Sequence, residues 1–310
     1  AFLNMLQLIG WTSIMIYDAM LALQELAPLS PMIWTIAIGA LVILWLFIGL
    51  HNTGYIQAIV SILLLGLTLY MGVHMISQWP SDSSFMTNGN MSFIAALELS
   101  IAMPLSWLPL ISDYTRESKS PFSASLTSAT VYTVTSIIMY TLGLSAAIFG
   151  GGNSIITIMM NAGLGLAGLI VIIFSTVTTT FMDAYSAGVS STTIYKGASS
   201  KGVAVIVTIV GTIAAILYPM DDITEFLYLI GSVFAPMIAI LLADYFVNRQ
   251  QVQTLSAYLV RGLIWAVAVG LYHYMLHSES SIGATLPAFT IAFIVTSIVG
   301  FIRKTANALL

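Results

Sequence analysis

The sequence contains little charge and no cysteine. Only 6% of its 310 residues are Asp, Glu, Lys or Arg. Soluble globular domains average about 25% charged residues, so this composition excludes that class. Because cysteine is absent, disulfides give no indication of the redox compartment. The formal net charge of -4 is small, and a nucleic-acid partner is not expected.

Long apolar runs dominate the chain: 59% of its residues are hydrophobic and the mean hydropathy is +1.00. A membrane-spanning helix needs roughly 20 predominantly apolar residues. The sequence therefore predicts an all-α polytopic membrane protein. Ten spans are predicted, at about 2–26, 31–50, 54–77, 93–113, 123–149, 164–190, 202–219, 223–247, 255–275 and 282–302. Residues 153–163 are predicted to form a short external amphipathic piece.

The chain opens inside its first apolar run with Ala1, and no signal peptide is visible in it. We therefore expect a fragment that lacks its N-terminal part. With ten spans, all eight Lys and Arg residues fall on one side of the membrane, which predicts a cytoplasmic C-terminus in a cell-membrane protein. The loops at 78–92 and 219–222 and the loop that holds Glu279 are then predicted to face outward.

Polar residues in the first span follow a helical stripe. Asn4, Gln7, Trp11 and Asp18 are separated by three, four and seven residues, which places them on one side of a helix. Hydrogen bonding to a neighbouring helix is one interpretation, with Trp11 as a packing residue. The other is a site for a flat heteroaromatic ligand, because an amide one turn from an aromatic ring suits such a molecule.

Two prolines interrupt the fourth span. Pro104 lies near its middle and Pro109 follows one turn later. Proline removes a backbone donor and opposes helix continuation. An ordinary kink is one interpretation. The alternative is a discontinuous helix whose unwound stretch, 103–107, lines a site. Trp107 would stack on a ligand there or simply pack, and Glu98 would belong to an external vestibule.

Hydroxyl side chains and one carboxylate interrupt the sixth span in "STVTTTFMDAYSAG", residues 175–188. Ser175, Thr178, Thr179 and Asp183 follow the spacing i, i+3, i+4, i+8, which predicts a single face. Ser and Thr often bond back to their own helix, which is the alternative for the hydroxyls. Neutral hydroxyl oxygens suit a monovalent cation. A carboxylate suits a cation, a proton or the N–H groups of a ligand.

"LSWLPLISDYTR" (105–116) and the hydroxyl-rich 175–188 segment resemble the nucleobase:cation symporter-1 family, most of all its cytosine-permease and hydroxymethylpyrimidine-transporter branch. The segments at 4–16 and 231–247 resemble other spans of that family. The resemblance implies a leucine-transporter-like inverted-repeat fold with ten of twelve expected helices, in one transmembrane domain over 1–310. Residues 1–77 would hold the last three helices of the first repeat, 93–247 the second repeat, and 255–302 two peripheral helices.

The resemblance also implies the substrate-binding positions. Trp11 matches the aromatic residue that stacks on the base, with Gln7 as a polar contact beside it. The unwound part of a broken helix matches residues around Pro104. Asp183 falls where relatives usually carry an asparagine that reads the base. The implied substrate-binding set is Gln7, Trp11, Met103, Pro104, Ser106, Trp107 and Asp183.

A sodium site is implied on the hydroxyl face, with Thr178 and Thr179 as the best ligands and Ser175 as a weaker one. The family's first helix, which supplies backbone carbonyls to the cation, is missing from this chain. Asp in place of Asn accepts hydrogen bonds only, so it favours a 4-aminopyrimidine or a protonated ring nitrogen. It also leaves proton coupling open as the alternative to Na⁺.

The sequence thus predicts a secondary active transporter that imports hydroxymethylpyrimidine or cytosine with a cation, by alternating access and without a cofactor. A symporter of a purine, allantoin, hydantoin or amino-acid-like solute on the same fold is the alternative. A passive channel would need a filter motif or rings of charge, and neither appears. An intramembrane enzyme is not expected, because no metal-ligand cluster, phosphate-cradling loop or nucleophile–base pair is visible.

Overall fold

We describe the fold from a computed structural model of the chain. It describes residues 1–26, 29–48, 53–77, 91–115, 118–149, 157, 159–160, 163–249, 254–278 and 281–308. Most of the predicted external piece at 153–163 and of the 78–92 loop lies outside these residues, as do Glu279 and Arg116. The direction of insertion into the membrane stays a prediction.

The ten-span prediction is confirmed: the described residues form ten helices long and apolar enough to cross a membrane. They are α1 (Phe2–Leu26), α2 (Pro31–Ile48), α3 (Thr53–Ser77), α4 (Phe93–Thr115), α5 (Pro121–Phe149), α6 (Gly165–Ile194), α7 (Ser200–Leu217), α8 (Thr224–Leu242), α9 (Leu255–His277) and α10 (Thr285–Ala308).

Helix starts follow local chemistry. Pro31 and Pro121 each occupy the first helical position, where the missing N–H has no intrahelical partner to lose. Ser199 and Thr254 cap α7 and α9, because their hydroxyl oxygens accept hydrogen bonds from the backbone N–H groups of Gly202 and Ala257, at 3.2 and 3.4 Å. These caps satisfy donors that the first helical turn leaves open.

The chain divides into two compact units. Unit 1 comprises Ala1–Asn88 and Leu110–Asp222. In it α1 packs most extensively against α6 and α7, and α2 packs against all three. Its core includes Leu8, Phe181 and Val207. The α5 helix contacts α3, and none of the residues in its apolar stretch is buried, as expected for a helix that faces lipid.

Unit 2 comprises Gly89–Pro109 and Ile223–Leu310. Here α8 packs against α9 and α10, and the Trp265 indole donates to the Val233 carbonyl at 2.9 Å. After Leu242 the chain widens into a π-helix, Ala243–Asn248. Asp244 in this turn accepts two hydrogen bonds from Arg261 on α9, at 2.8 and 2.9 Å, and a third from Asn248 at 2.9 Å. The carboxylate is thereby neutralised.

The predicted unwound stretch at 103–107 is wrong: α4 is helical without a break from Phe93 to Thr115, with Pro104 and Pro109 inside it. Each proline removes one backbone donor, and the flanking hydrogen bonds suffice to carry the helix through. Ser106 adds a hydroxyl bond to the Met103 carbonyl at 2.7 Å.

Three glycines allow close approach to α7. A Cβ at Gly188 on α6 would overlap the backbone oxygen of Ser200. A Cβ at Gly39 on α2 would overlap the Thr212 side chain, and one at Gly211 on α7 would lie 2.7 Å from Cγ2 of Thr12. Small residues at such crossings let helix backbones pack tightly within a membrane.

We expect Gly188→Ala to destabilise the protein. The new methyl group meets backbone rather than a movable side chain, and overpacking of this kind costs about 1–3 kcal/mol. The melting temperature in detergent should fall by about 5 °C. Gly143→Ala in α5 is the matched control, because its Cβ would meet nothing within 4 Å. Equal melting temperatures for the two variants would contradict the close approach.

Candidate substrate and cation site

A hydrogen-bonded chain of polar side chains joins α1 to α6. The Asn4 amide donates to the Ser190 hydroxyl at 2.8 Å, and the Gln7 amide donates to the Asn4 side-chain oxygen at 2.8 Å. Asn4 and Gln7 are both buried. The prediction that Asn4 bonds to a neighbouring helix is therefore confirmed, whereas Ser190 was not singled out by the sequence.

The register of α1 against α6 follows from three sets of contacts. Near one end Asn4 meets Ser190. Farther along α1, Leu8 shares a cluster with Ala184 and Ala187, and the next cluster joins Ala19 and Leu23 to Leu169. Residue numbers rise on α1 as they fall on α6, so the two helices run antiparallel.

This register places two predicted site residues at the same level. Trp11 lies seven residues beyond Asn4 on α1, and Asp183 lies seven residues before Ser190 on α6. Because seven residues are nearly two full turns, both return to the side of the helix that carries the bonded pair. Trp11 is half-buried, and Asp183 is 7% exposed.

Asp183 has no hydrogen-bond partner among the residues that the structure describes. Thr179 and Thr176 lie one and two turns away on the same stripe of α6, and both are half-buried. A buried carboxylate normally has a charged or hydrogen-bonding partner, since removal from water is costly. An unpaired one beside hydroxyls is suited to hold a cation or the N–H groups of a ligand.

The prediction of a single polar face on α6 is too broad. Five residues separate Thr178 from Asp183, which places them about 140° apart around the helix. Thr178 is buried, and its hydroxyl donates to the carbonyls of Phe174 and Ser175, at 2.9 and 3.0 Å. The tighter stripe is Ser175, Thr179 and Asp183, at successive steps of four residues.

Gln57 marks another contact of α6 that the sequence analysis missed. Its amide on α3 contacts the Met182 sulfur on α6. Met182 lies one turn from Thr178 on α6, so the Thr178 side faces α3 rather than the Asn4–Ser190 pair. The spacing of Gln57 within α3 carried no pattern that would have singled it out.

The other predicted substrate residues belong to unit 2, in α4. Ser106 is buried, Met103 and Trp107 are half-buried, and Pro104 is exposed. Gln7, Trp11, Asp183 and the hydroxyl residues belong to unit 1. The predicted site residues of unit 1 therefore lie on two adjoining helices, α1 and α6. Those of unit 2 all lie on α4.

Glu98 of α4 caps α10 within unit 2. Its carboxylate accepts hydrogen bonds from the backbone N–H groups of Ala284 and Thr285 at 3.0–3.1 Å, and another from the Thr285 hydroxyl. Glu98 is 6% exposed and lines a cavity of about 700 Å³ with Tyr228. Gly283 has φ 75°, and a Cβ there would overlap the carboxylate. That Glu98 belongs to an external vestibule stays a prediction, and its capping role was not foreseen.

A family model described as permease for cytosine/purines, uracil, thiamine, allantoin matches residues 2–306. The chain belongs to the nucleobase:cation symporter-1 family. Membership in a permease family indicates a transporter rather than an enzyme, in agreement with the sequence-based prediction.

Cytosine permeases from three Escherichia coli strains, K12, O6:H1 and O157:H7, are each 26% identical to the chain over 185 residues. The match covers 58% of this chain and 44% of each permease, so it spans less than half the length of these relatives.

The fold is similar to that of Mhp1, a nucleobase-cation-symport-1 family transporter solved in a closed conformation with bromovinylhydantoin bound. The TM-score is 0.72 at 18% identity, over 98% of this chain and 75% of Mhp1. The prediction of a leucine-transporter-like fold is confirmed for this symporter-1 member.

We expect Glu98→Gln to destabilise the protein, because the amide replaces an acceptor oxygen with a donor that faces other donors. Loss of hydrogen bonds to a buried charged group costs about 1.5–3 kcal/mol, which predicts a clear fall in melting temperature in detergent. Glu225→Gln is the control, since Glu225 is an exposed carboxylate in the first turn of α8. An unchanged melting temperature for Glu98→Gln would argue against the cap.

Proposed function

We propose that the protein is a secondary active transporter that imports a pyrimidine nucleobase-like substrate, cytosine or hydroxymethylpyrimidine, together with a monovalent cation. The observation that carries the proposal is the buried carboxylate of Asp183, which lies at the level of Trp11 and has no hydrogen-bond partner within the described residues, in a member of a nucleobase permease family. The cytosine permeases among its relatives favour the same substrate class.

The substrate chemistry follows from the donors and acceptors at the seam between α1 and α6. Trp11 supplies an aromatic face on which a flat base stacks. Asp183 accepts from two N–H groups, which matches the amino group and ring N–H of a 4-aminopyrimidine edge. Gln7 adds a polar contact one turn from Trp11. For Met103, Pro104, Ser106 and Trp107 of α4, contact with the substrate stays what the family resemblance implies.

The coupling cation is proposed to bind along the hydroxyl stripe of α6. Thr179 and Ser175 share this stripe with the Asp183 carboxylate. Their position makes them better ligands than Thr178, which lies off the stripe. The Thr178 hydroxyl donates its hydrogen to backbone carbonyls, but its oxygen still has a lone pair that can bind a cation on the α3 side. Na⁺ suits these hard oxygen donors. A proton held by Asp183 is the alternative coupling ion.

A hydantoin-like substrate is the second candidate, favoured by the bromovinylhydantoin bound in the structurally similar Mhp1. A hydantoin ring also offers N–H groups to a carboxylate, but it has no exocyclic amino group. In either case transport would proceed by alternating access across the cell membrane, with the C-terminus in the cytoplasm.

We expect Asp183→Asn to weaken cytosine uptake strongly and to weaken hydantoin uptake less. Asparagine presents one acceptor and one donor group, so it loses a charged hydrogen bond to the amino edge, which is worth about tenfold to a hundredfold in affinity. The measurement is uptake of labelled cytosine, hydroxymethylpyrimidine and hydantoin by cells that express the protein, with Na⁺ or choline outside.

Asp221→Asn is the matched control, because it removes the same charge from an exposed position between α7 and α8. Asp183→Glu keeps the carboxylate but moves it, so this variant tests whether the negative charge alone is sufficient for cytosine uptake. If wild-type protein accumulates none of the three compounds, the proposed substrate class is wrong. If Asp183→Asn transports cytosine with unchanged affinity and cation dependence, the role of Asp183 is wrong.

A further inference from the structure

Two more carboxylates lie on the stripe of α1 that carries Trp11. Asp18 and Glu25 follow Trp11 at successive steps of seven residues. A straight α-helix drifts only about 20° over seven residues, so the three side chains leave the helix on nearly the same side. Each step advances about 10.5 Å along the axis. Neither α1 nor α6 contains a Lys, Arg or His residue.

Asp18 lies deep within the span. The midpoint of α1 is residue 14, so Asp18 lies about 6 Å from the middle of the helix along its axis. It is exposed, and within the described residues no group bonds to it. A carboxylate at this depth is stable only where it faces water or a mobile counter-ion rather than lipid.

The exposure of the carboxylates changes along the seam. Glu25 is exposed at the end of α1 and accepts a hydrogen bond from Thr157 at 3.2 Å. Asp18, also exposed, lies one step inward, at the level of Thr176 on α6. One step farther, at the level of Trp11, is the buried carboxylate of Asp183. Negative charge therefore continues from the end of the helix to the proposed binding site.

We propose that Glu25 and Asp18 form an entry route for the coupling cation, with Asp18 as a transient binding position for a monovalent cation before it reaches Asp183. The inference rests on the proposed cation coupling and adds a second cation position to it. The absence of basic residues from both helices makes the route attractive to cations and repulsive to anions.

The experiment measures cation dependence in Asp18→Asn. Removal of one charge about 10 Å from a cation lowers cation affinity by about tenfold at an effective dielectric constant of 20. The Na⁺ concentration for half-maximal cytosine uptake should rise about tenfold, with the rate at saturating Na⁺ within about twofold of wild type. Asp18→Glu should restore the wild-type concentration, and Asp221→Asn should leave it unchanged. The same series with an imposed pH gradient distinguishes Na⁺ from protons.

A second measurement needs no substrate. The melting temperature of purified protein is followed against Na⁺ concentration and compared with matched choline and K⁺ series. Wild-type protein should be stabilised by the coupling cation, with a midpoint that shifts about tenfold in Asp18→Asn. If the cation stabilises wild-type protein and the midpoint shifts in Asp18→Asn, but wild-type protein imports none of the test compounds, the route stands and the proposed substrate is wrong.

An unchanged midpoint in Asp18→Asn would overturn the proposed route, whatever the uptake result. Absence of stabilisation of wild-type protein by any cation would overturn it as well. A lower uptake rate at every Na⁺ concentration, without rescue by Asp18→Glu, would show that Asp18 has only a structural role and would also reject the route.

Discussion

A polar group inside a bilayer has no water to bond, and this constraint organises the molecule. Backbone groups are satisfied because every described span is a helix. Hydroxyls are satisfied largely by bonds to their own helix, as Thr178 and Thr180 show with the carbonyls of Phe174 and Thr176. Amides and charges need a second helix, so they appear where helices meet.

The same constraint makes the exceptions informative. Glu98 and Asp244 are each surrounded by hydrogen-bond donors, so their carboxylates link neighbouring helices. Asp183 and Asp18 have no such donors in the described part of the chain. One fold thus contains carboxylates of two kinds. Carboxylates that accept hydrogen bonds from nearby donors stabilise the structure. Those without such donors remain available to bind a mobile cation, proton or ligand.

The spans and the polar stripe of α1 followed from the sequence because both depend on local rules. The length of an apolar run predicts the length of the helix. Spacings of three, four and seven residues place polar side chains on one side of that helix. Which side of α6 meets α1 depends on a partner distant in the chain. Thr178 was therefore grouped with Asp183 although the helix turns them apart. The capping of α10 by Glu98 joins residues 186 positions apart and leaves no local pattern.

The prediction of an unwound segment in α4 was wrong for a different reason. It came from a resemblance together with the general effect of proline. Neither determines whether a helix breaks when only isolated backbone N–H donors are lost. The family assignment establishes the class of protein. The finer question of which base and which ion rests on few side chains, and Asp183 is the residue whose chemistry separates the candidates most clearly.

The glycine contacts of α7 have a mechanical consequence. Three helices, α1, α2 and α6, each approach α7 where a single methyl group would not fit. Because side chains recur on one side of a helix only after about one turn, a slide of roughly 5.4 Å would bring a larger side chain into each of these gaps. The packing at the three glycines therefore opposes sliding of this size between α7 and its three neighbours.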